Sequence, residues 1–460
     1  MKNKLKILLI SPGNLANQDS EGGRSVVYSP NLGLTYLSSY VESTYGDEVE
    51  IAIVETVPER LTDQDMKDKM IDIGPDVVGI SSKTFNILAS YKLSEIAKSI
   101  NDRTTVVLGG AHGSALPEYT LKECTHIDIV VRGEGELAFS SVVKSLLKDE
   151  VDFSHIDGLA FREADDRIVT TGQGRLLSDL DEVPFPIYDK YNLNNYNMGI
   201  NPITGQKENF FSMFASRGCP YSCTFCMPLQ TRRVRKRAPE KIVEELSYLI
   251  ETMNAEFVYF EDSCMTADKK WFEAVCDAFI ANNMIEKLSW GFETRVDSVN
   301  KELFRKAVRA GSIYVNFGLE SGSDLILERN RKHFKTSDAL KTIRLAKEAG
   351  VELIHGSFIL GLPYENRQTI TETLNFIDGL NIDMIAVNIV DVYPGTELFD
   401  MVERGEGGIR WLPGFRFNWE KYERNKCQTE VNDLTASDLA DYYNRALDLV
   451  EKKTGQRLTI

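Results

Sequence analysis

With 460 residues, 42% of them hydrophobic and 27% charged, the chain has an ordinary globular composition, which excludes a disordered or collagen-like polymer. At about 100–200 residues per domain it holds two to four domains. The net charge of −16, from 53 basic and 69 acidic side chains, disfavours DNA or RNA as a partner, since phosphates ask for a positive footprint. No apolar run approaches the roughly 18–20 residues a membrane span needs, so no membrane partner is expected.

The first elements read as strands. Lys2, Lys4 and Lys6 precede or open the apolar run at 7–10, and Pro12 closes it. That run is too short for a signal peptide and reads as a buried strand. Seven cysteines, an odd number, are not a disulfide scaffold. The expected compartment is therefore the reducing cytoplasm, with thiols free or on metal.

Further short β-branched runs at 50–54, 77–81, 105–108 and 127–131 predict four more strands. Helical patterns at 33–45, 61–73, 87–100, 117–123 and 136–147 alternate with them. Such alternation predicts an α/β domain over 1–149, a doubly wound parallel sheet of Rossmann-like layout. Its ligands belong at the carboxyl ends of the strands. Residues 150–205 break the rhythm with a possible hairpin, 157–162 with 167–171, then proline and asparagine clusters. They read as a connector wrapping between two domains.

From 206 to 400 the alternation resumes, with strands expected at 210–215, 257–261, 288–293, 313–318, 353–360 and 385–392. Six β/α repeats predict a partial (β/α)6 barrel whose chemistry sits at the strand carboxyl ends. The helix expected at 239–252 starts on Pro239, a favoured first-turn residue. The basic run Arg232, Arg233, Arg235, Lys236 and Arg237 reads as a solvated loop face. The segment 401–460 carries one convincing helix, 436–452, and no recognisable chemistry.

The decisive feature is Cys219-Pro-Tyr-Ser-Cys223-Thr-Phe-Cys226 on the loop after the first barrel strand. Three thiolates are soft ligands, suited to an iron–sulfur cluster or to zinc. A closed zinc site would need a fourth ligand, for which Cys264, Cys276 or a histidine are the candidates. A three-thiolate loop at a barrel mouth instead suits a cubane with one iron open to substrate.

With Phe225 before the last cysteine, the triplet resembles the signature of the radical S-adenosylmethionine (SAM) enzymes. The resemblance implies a [4Fe–4S] cluster on Cys219, Cys223 and Cys226, and SAM across the strand ends. It places Glu261 and Asp262 at the SAM amine and Arg295 at its carboxylate. It places Glu320 and Ser321 as further SAM contacts, Gly361 at the adenine edge, and Tyr393 on the sixth strand's exit. Cys264 and Cys276 read as core or near-site residues, and Cys124 and Cys427 as bystanders.

A doubly wound sheet before such a barrel resembles the cobalamin-binding domain of the B12-dependent branch of that family. The marks are Ser81-Ser82, Gly109-Gly110-Ala111-His112 and Gly133-Glu134-Gly135. Ser81 and Ser82 can donate to a buried nucleotide tail, and Gly109 and Gly110 let a broad corrin ring approach. On that reading, bulk at Gly110 blocks cobalamin loading. The Asp-x-His-x-x-Gly pattern that supplies cobalt with a histidine is absent, and His112 reads as a polar loop residue.

The resemblance implies reductive cleavage of SAM to methionine and a 5′-deoxyadenosyl radical. It further implies methyl transfer from methylcobalamin to an unactivated carbon of a small-molecule or peptide substrate. An electron donor such as flavodoxin or ferredoxin is the implied partner. Rearrangement or cyclisation with the same cofactors, or metal or corrinoid binding without radical chemistry, stay open as alternatives.

Overall fold

The structure is a computed structural model, described for residues 4–13, 29–150, 152–163, 165–227, 231–423 and 425–455. It divides into two compact units, residues 1–200 and 201–460.

In the first unit, β1 (Leu5–Ser11), β2 (Val49–Glu55), β3 (Val77–Ser81), β4 (Thr105–Gly109) and β5 (Ile129–Val131) are parallel. β6 (Leu159–Arg162) and β7 (Ile168–Thr170) continue the sheet antiparallel. The order is β2-β1-β3-β4-β5-β6-β7. Ile7, Leu8, Leu9 and Ile10 are all buried, as expected of a central strand covered on both faces. Helices α1 (Leu32–Tyr45), α2 (Asp63–Ile73), α3 (Ile87–Ile100), α4 (Ala111–Ala115), α5 (Pro117–Glu123) and α6 (Gly135–Leu147) connect the strands. Local chemistry sets their ends. Asn31 caps α1 by accepting from Leu34 N, and Thr62 with Asp65 forms a capping box on α2.

The expected connector is largely part of this unit. Its hairpin, β6 with β7, pairs on β5, an edge that would otherwise expose unmet backbone groups. Beyond it, Tyr191 Oη lies 2.9 Å from Thr35 Oγ1 on α1. Tyr188 and Tyr196 are buried. Aromatic burial against α1 ties this stretch down where proline and asparagine content suggested a loose wrap.

The second unit is built on six parallel strands: β8 (Phe210–Met213), then, past two short strands, β11 (Phe257–Phe260), β12 (Ser289–Thr294), β13 (Ser312–Glu320), β14 (Leu353–Leu360) and β15 (Met384–Ile389). The two short strands, β9 (Ser216–Arg217) and β10 (Arg235–Lys236), form a separate antiparallel pair. The sheet order β15-β14-β13-β12-β11-β8 runs in sequence without closing.

Helices α7 (Pro239–Met253), α8 (Lys269–Ala281), α9 (Lys301–Arg309), α10 (Asp324–Arg329), α11 (Thr336–Ala349), α12 (Arg367–Gly379), α13 (Glu397–Arg404) and α14 (Ala436–Thr454) follow in chain order. One sheet face packs against them through aromatic contacts. Phe260 stacks on Phe279 of α8, Trp290 meets Phe272 and Phe279 edge-on, and Phe317 meets Phe304 of α9. Aromatic rings bury large areas per residue and favour these offset and edge-to-face pairs.

Two expectations change here. The basic run is not a solvated face: Arg232, Arg233 and Lys236 are exposed, but Arg235 and Arg237 are buried. Strand alternation turns them inward, and Arg237 pairs with the buried Glu245 of α7. The sixth strand ends at Ile389, short of residue 392. Its exit is completed by side chains of the C-terminal segment. Ile389 N donates to Asn425 Oδ1 at 3.2 Å and Val392 N to Gln428 Oε1 at 3.1 Å, while Tyr422 Oη donates to Val392 O at 2.8 Å. The segment after 400, which also carries β16 (Ile409–Trp411) and β17 (Thr429–Val431), thus satisfies an otherwise open sheet edge.

Candidate functional site

The three cysteines lie on the loop between β9 and β10, at the carboxyl end of the β8 segment. Gly218, immediately before Cys219, has φ +103°, and a β-carbon there would overlap the Arg233 carbonyl oxygen. Only glycine fits this position without strain. The loop's root is held by Asp262, which accepts from Ala215 N at 2.9 Å and from Ser216 Oγ. Its middle is held by Thr224, whose Oγ1 donates to Asn330 Oδ1 at 2.7 Å and whose carbonyl accepts from Leu398 N at 2.8 Å. Cys226 N closes a turn on Cys223 O at 3.2 Å. Burial pushes the Cys219 thiol above its usual range.

Two buried cations flank this loop. The Arg295 guanidinium stacks 3.7 Å above the Tyr221 ring and sets Nη1 3.7 Å from Cys223 Sγ. It forks onto Asp297, Nε to Oδ1 at 2.9 Å and Nη2 to Oδ2 at 2.8 Å, and Nη2 also donates to Lys332 O. Lys332 Nζ sits 6.0 Å from the Phe225 ring centre and 3.0 Å from Glu320 Oε1. Lys332 lies between Arg331 at φ +59° and His333 at φ +55°, and Glu320 itself is at φ +64°. Three non-glycine residues in the left-handed region within one cluster are the strain expected where surroundings over-determine a functional site.

The expected SAM contacts divide into two groups. Asp262 and Ser321 are turned inward. Asp262 is 1% exposed, both its oxygens accept from the loop's root, and burial raises its carboxyl to about 6. Ser321, also 1% exposed, lies 3.1 Å from Thr373 Oγ1 and accepts from Ser323 N at 3.2 Å. The polar atoms of both have partners within the chain. The Gly361 N–H is likewise taken, donating to buried Glu365 Oε2 at 2.6 Å. Arg295 has most of its fork engaged by Asp297 and Lys332. Glu261 accepts from Ser212 Oγ at 2.9 Å, and Tyr393 donates to Asp391 Oδ2 at 3.1 Å.

Lys332, Asn330, Glu365 and Glu293 were not singled out from sequence. Lys332 and Asn330 sit in a turn with no repeat, and only the fold brings that turn to the cysteine loop. Cys264 is buried, its sulfur 3.7 Å from Thr294 Oγ1 and 3.8 Å from Ser298 Oγ, and Cys276 is buried in α8. Neither joins the triplet. Among the described residues no three His, Cys, Asp or Glu side chains converge on one point fit for a single metal ion. A cubane asks for something else, one thiolate on each of three irons.

In the first unit, the order 2-1-3-4-5 of the parallel strands puts a switch point between β1 and β3, where such sheets bind ligands. Asn86 bridges the loops on either side, Nδ2 donating to Pro12 O at 2.8 Å and Oδ1 accepting from Lys83 N at 2.7 Å. Ser81 ends β3, and Ser82 N donates to Gly109 O at 2.9 Å. Ser82 is fully buried.

Gly110 corrects an expectation. It has φ +89°, and its missing β-carbon would overlap the Ser82 carbonyl oxygen. Its own chain demands glycine, so bulk there breaks the loop whatever binds. Gly109 is the open position: among the described residues nothing lies within 4 Å of where a β-carbon would sit. His112 is not a loop residue: it is fully buried in α4, its Nδ1 3.3 Å from Thr84 Oγ1, and burial drops its imidazole to about 3. Glu134 takes the N-cap position of α6.

Comparison with known proteins agrees with this layout. The radical SAM superfamily model matches residues 213–377 and the B12 binding domain model residues 23–143. An uncharacterized methyltransferase of Pyrococcus horikoshii is 32% identical over 96% of this chain and 91% of its own. The chain belongs to the B12-dependent radical SAM enzymes. An anaerobic magnesium-protoporphyrin IX monomethyl ester cyclase of Rubrivivax gelatinosus is 28% identical over 86% of this chain and 69% of its own. The fold matches that of the radical SAM methyltransferase TsrM from Kitasatospora setae, with TM-score 0.74 at 14% identity, covering 98% of this chain and 89% of that one.

The cofactors of this B12-dependent radical SAM enzyme are a [4Fe–4S] cluster, SAM and cobalamin. The residues fit the cluster: three soft donors on one pinned loop, no fourth thiol among them, and two cations beside the sulfurs. Iron displaces the thiol protons as it binds. The cations give a testable consequence. At ~10 Å and an effective dielectric of ~20, a unit charge shifts a neighbouring charge state by about 1–2 kcal/mol, on the order of 70 mV. Lys332→Met is expected to lower the cluster's reduction potential by tens of millivolts in a redox titration followed by electron paramagnetic resonance. Glu320→Gln in the same chain is expected to restore most of the shift. An unchanged potential in the single variant would remove Lys332 from the cluster's field.

Proposed function

We propose that the protein transfers a methyl group to an unactivated carbon of a small-molecule or peptide substrate, by reductive cleavage of SAM in a cobalamin-loaded enzyme. The observation that carries this reading is the match over nearly the whole of both chains to a relative described as a methyltransferase. A second reading, radical cyclisation with the same cofactors, is favoured by the relative described as a cyclase.

When bound, the cluster and SAM supply a 5′-deoxyadenosyl radical and cobalamin supplies the methyl group. The chain's own contribution is placement. Cys219, Cys223 and Cys226 would hold the cluster, which would in turn take up SAM. Arg295 and Lys332 set positive charge beside the thiolates, which stabilises the electron-rich state. Asp262, Gly218, Thr224 and Asn330 fix the loop, so that little reorganisation is left to the reaction. Glu261, Glu320 and Tyr393, at the strand carboxyl ends, are the polar groups nearest to hand for SAM. Ser81 and Gly109, with the β1–β3 switch point, form the cobalamin edge.

The electron donor is a low-potential one-electron carrier such as flavodoxin or ferredoxin, in the reducing cytoplasm. Among the described residues no helix is long and apolar enough to cross a membrane. The test is anaerobic incubation of the reconstituted enzyme with a reductant, metabolite extract and SAM carrying a CD3 methyl. A product heavier by one CH2, shifted further by deuterium, is expected in mass spectra. Products with hydrogen lost and no label gained would favour the cyclase reading instead.

A further inference from the structure

The chain carries a net charge of −16, yet the residues leading into and forming β10 include five cations, Arg232, Arg233, Arg235, Lys236 and Arg237. Three of them are accounted for within the chain. Arg235 and Arg237 are buried, and Lys236 pairs with Asp268 at the start of α8. Arg232 and Arg233 are exposed, and neither forms an ion pair among the described residues.

A lone exposed cation is ordinary and answers to solvent. These two are held in place. Cys219 N donates to Thr231 O at 3.2 Å, and Thr231 Oγ1 donates to Arg233 O at 3.0 Å. The Arg233 carbonyl lies against bare Gly218, and Arg232 Nη1 donates to Tyr221 O at 2.8 Å. Behind them, Arg235 and Lys236 pair in register with Arg217 and Ser216, and Trp271 Nε1 of α8 donates to Arg237 O at 2.8 Å. Two unmatched charges are thus fastened to the backbone of the cysteine loop. The loop itself reaches the surface, since Pro220 and Cys226 are both exposed.

Two like charges side by side repel and add nothing to the fold. What they create is a local positive field on an otherwise acidic chain, which speeds encounter with an acidic partner and turns away a basic one. The chemistry at this loop requires such an encounter, because the electron for the bound cluster has to come from outside the chain.

We propose that Arg232 and Arg233, on the segment entering β10, form the docking surface for an acidic one-electron carrier protein that reduces the bound cluster. One electron leaves the carrier and enters the cluster, and no bond forms or breaks in the step. The proposal rests on the reductive SAM cleavage proposed above.

The test uses the cluster-loaded protein and an acidic flavodoxin as the probe. Calorimetry at low and high salt measures docking. Stopped-flow spectroscopy measures cluster reduction by the reduced flavodoxin, with reduced methyl viologen, a small cation that needs no docking surface, as the reference. Docking is expected to weaken with salt, and the double variant Arg232→Gln, Arg233→Glu to weaken it about tenfold at low salt. Arg233→Glu alone, whose side chain has no hydrogen bond to lose among the described residues, is expected to account for a several-fold part of that loss. Lys341→Glu, an exposed charge reversal on α11, should leave docking unchanged, and methyl viologen should reduce every variant as fast as the parent.

Unchanged docking in the double variant, an equal loss in Lys341→Glu, or docking indifferent to salt would overturn the proposal. Slower reduction of the double variant by methyl viologen would trace the effect to a damaged loop and overturn it too. Tighter binding of oligouridylate than of flavodoxin, lost in the same variant, would give the surface to a nucleic acid instead. A failure of the methyl-transfer reading shows elsewhere, as normal docking with no labelled product in the wild-type incubation.

Discussion

Replacing Cys219, Cys223 or Cys226 by Ala is expected to abolish both cluster iron and SAM cleavage, to background in each case. On the proposed assignment each thiolate would hold a different iron, so no remaining pair could carry a cubane. Iron and sulfide analysis after anaerobic reconstitution, with 5′-deoxyadenosine quantified by chromatography, measures both losses in one preparation. The variants should still fold. The loop is held by Asp262 at its root and by Thr224 on Asn330 at its middle, not by the cysteines. Cys427→Ser is the control. Its sulfur lies 3.4 Å from the Ala436 carbonyl oxygen, in the C-terminal segment, and its loss should leave iron and cleavage intact. A full cluster in any triplet variant would refute the assignment.

What was legible in the sequence follows from where each signal is stored. Central strands such as 7–10 and 77–81 are nearly unbroken apolar runs because both faces are covered, and they read correctly for that reason. The cysteine triplet stands out because its three thiols come from a single loop. Lys332 did not read, because nothing local marks a lysine held between two left-handed residues. It meets Glu320 and the Phe225 ring only after β13, α10 and the following turn are in place. Arg235 and Arg237 misled because a run of like charges normally means solvent, and here a two-residue strand turns alternate members inward.

The same logic separates residues that touch a ligand from residues that hold others in place. Sequence position assigns Glu261 and Asp262 to one role, since both end the same strand. Both follow β11, and successive side chains on extended backbone point opposite ways. Asp262 is buried on the root of the cysteine loop, while Glu261 stays at the strand end with Ser212. The inner face of the barrel was invisible for a related reason. Tyr259, Glu293 and His355 are far apart in sequence, and each is a lone polar residue in an apolar run. Only strand register makes them neighbours.

Gly109→Leu is expected to block cobalamin loading of the 460-residue chain while its folding is retained. Sheets of this layout bind ligands in the crevice beyond the strand ends, and a corrin ring is broad enough to need bare backbone there. Among the described residues no atom lies within 4 Å of a side chain's first carbon at Gly109, so a leucine there meets a ligand before it meets that part of the protein. Gly110 offers no such test. At φ +89° with the Ser82 carbonyl where a β-carbon would sit, even Gly110→Ala should strain the loop, at a cost of about 1–2 kcal/mol or more. The pair therefore separates two causes of lost binding. Gly109→Leu should give a wild-type melting temperature without cobalamin and no visible-absorbance spectrum of bound corrinoid after incubation with it. Gly110→Ala should lower the melting temperature of the cobalamin-free protein. Full loading of Gly109→Leu would move the corrin away from β4, towards the loops around Asn86 at the β1–β3 switch point.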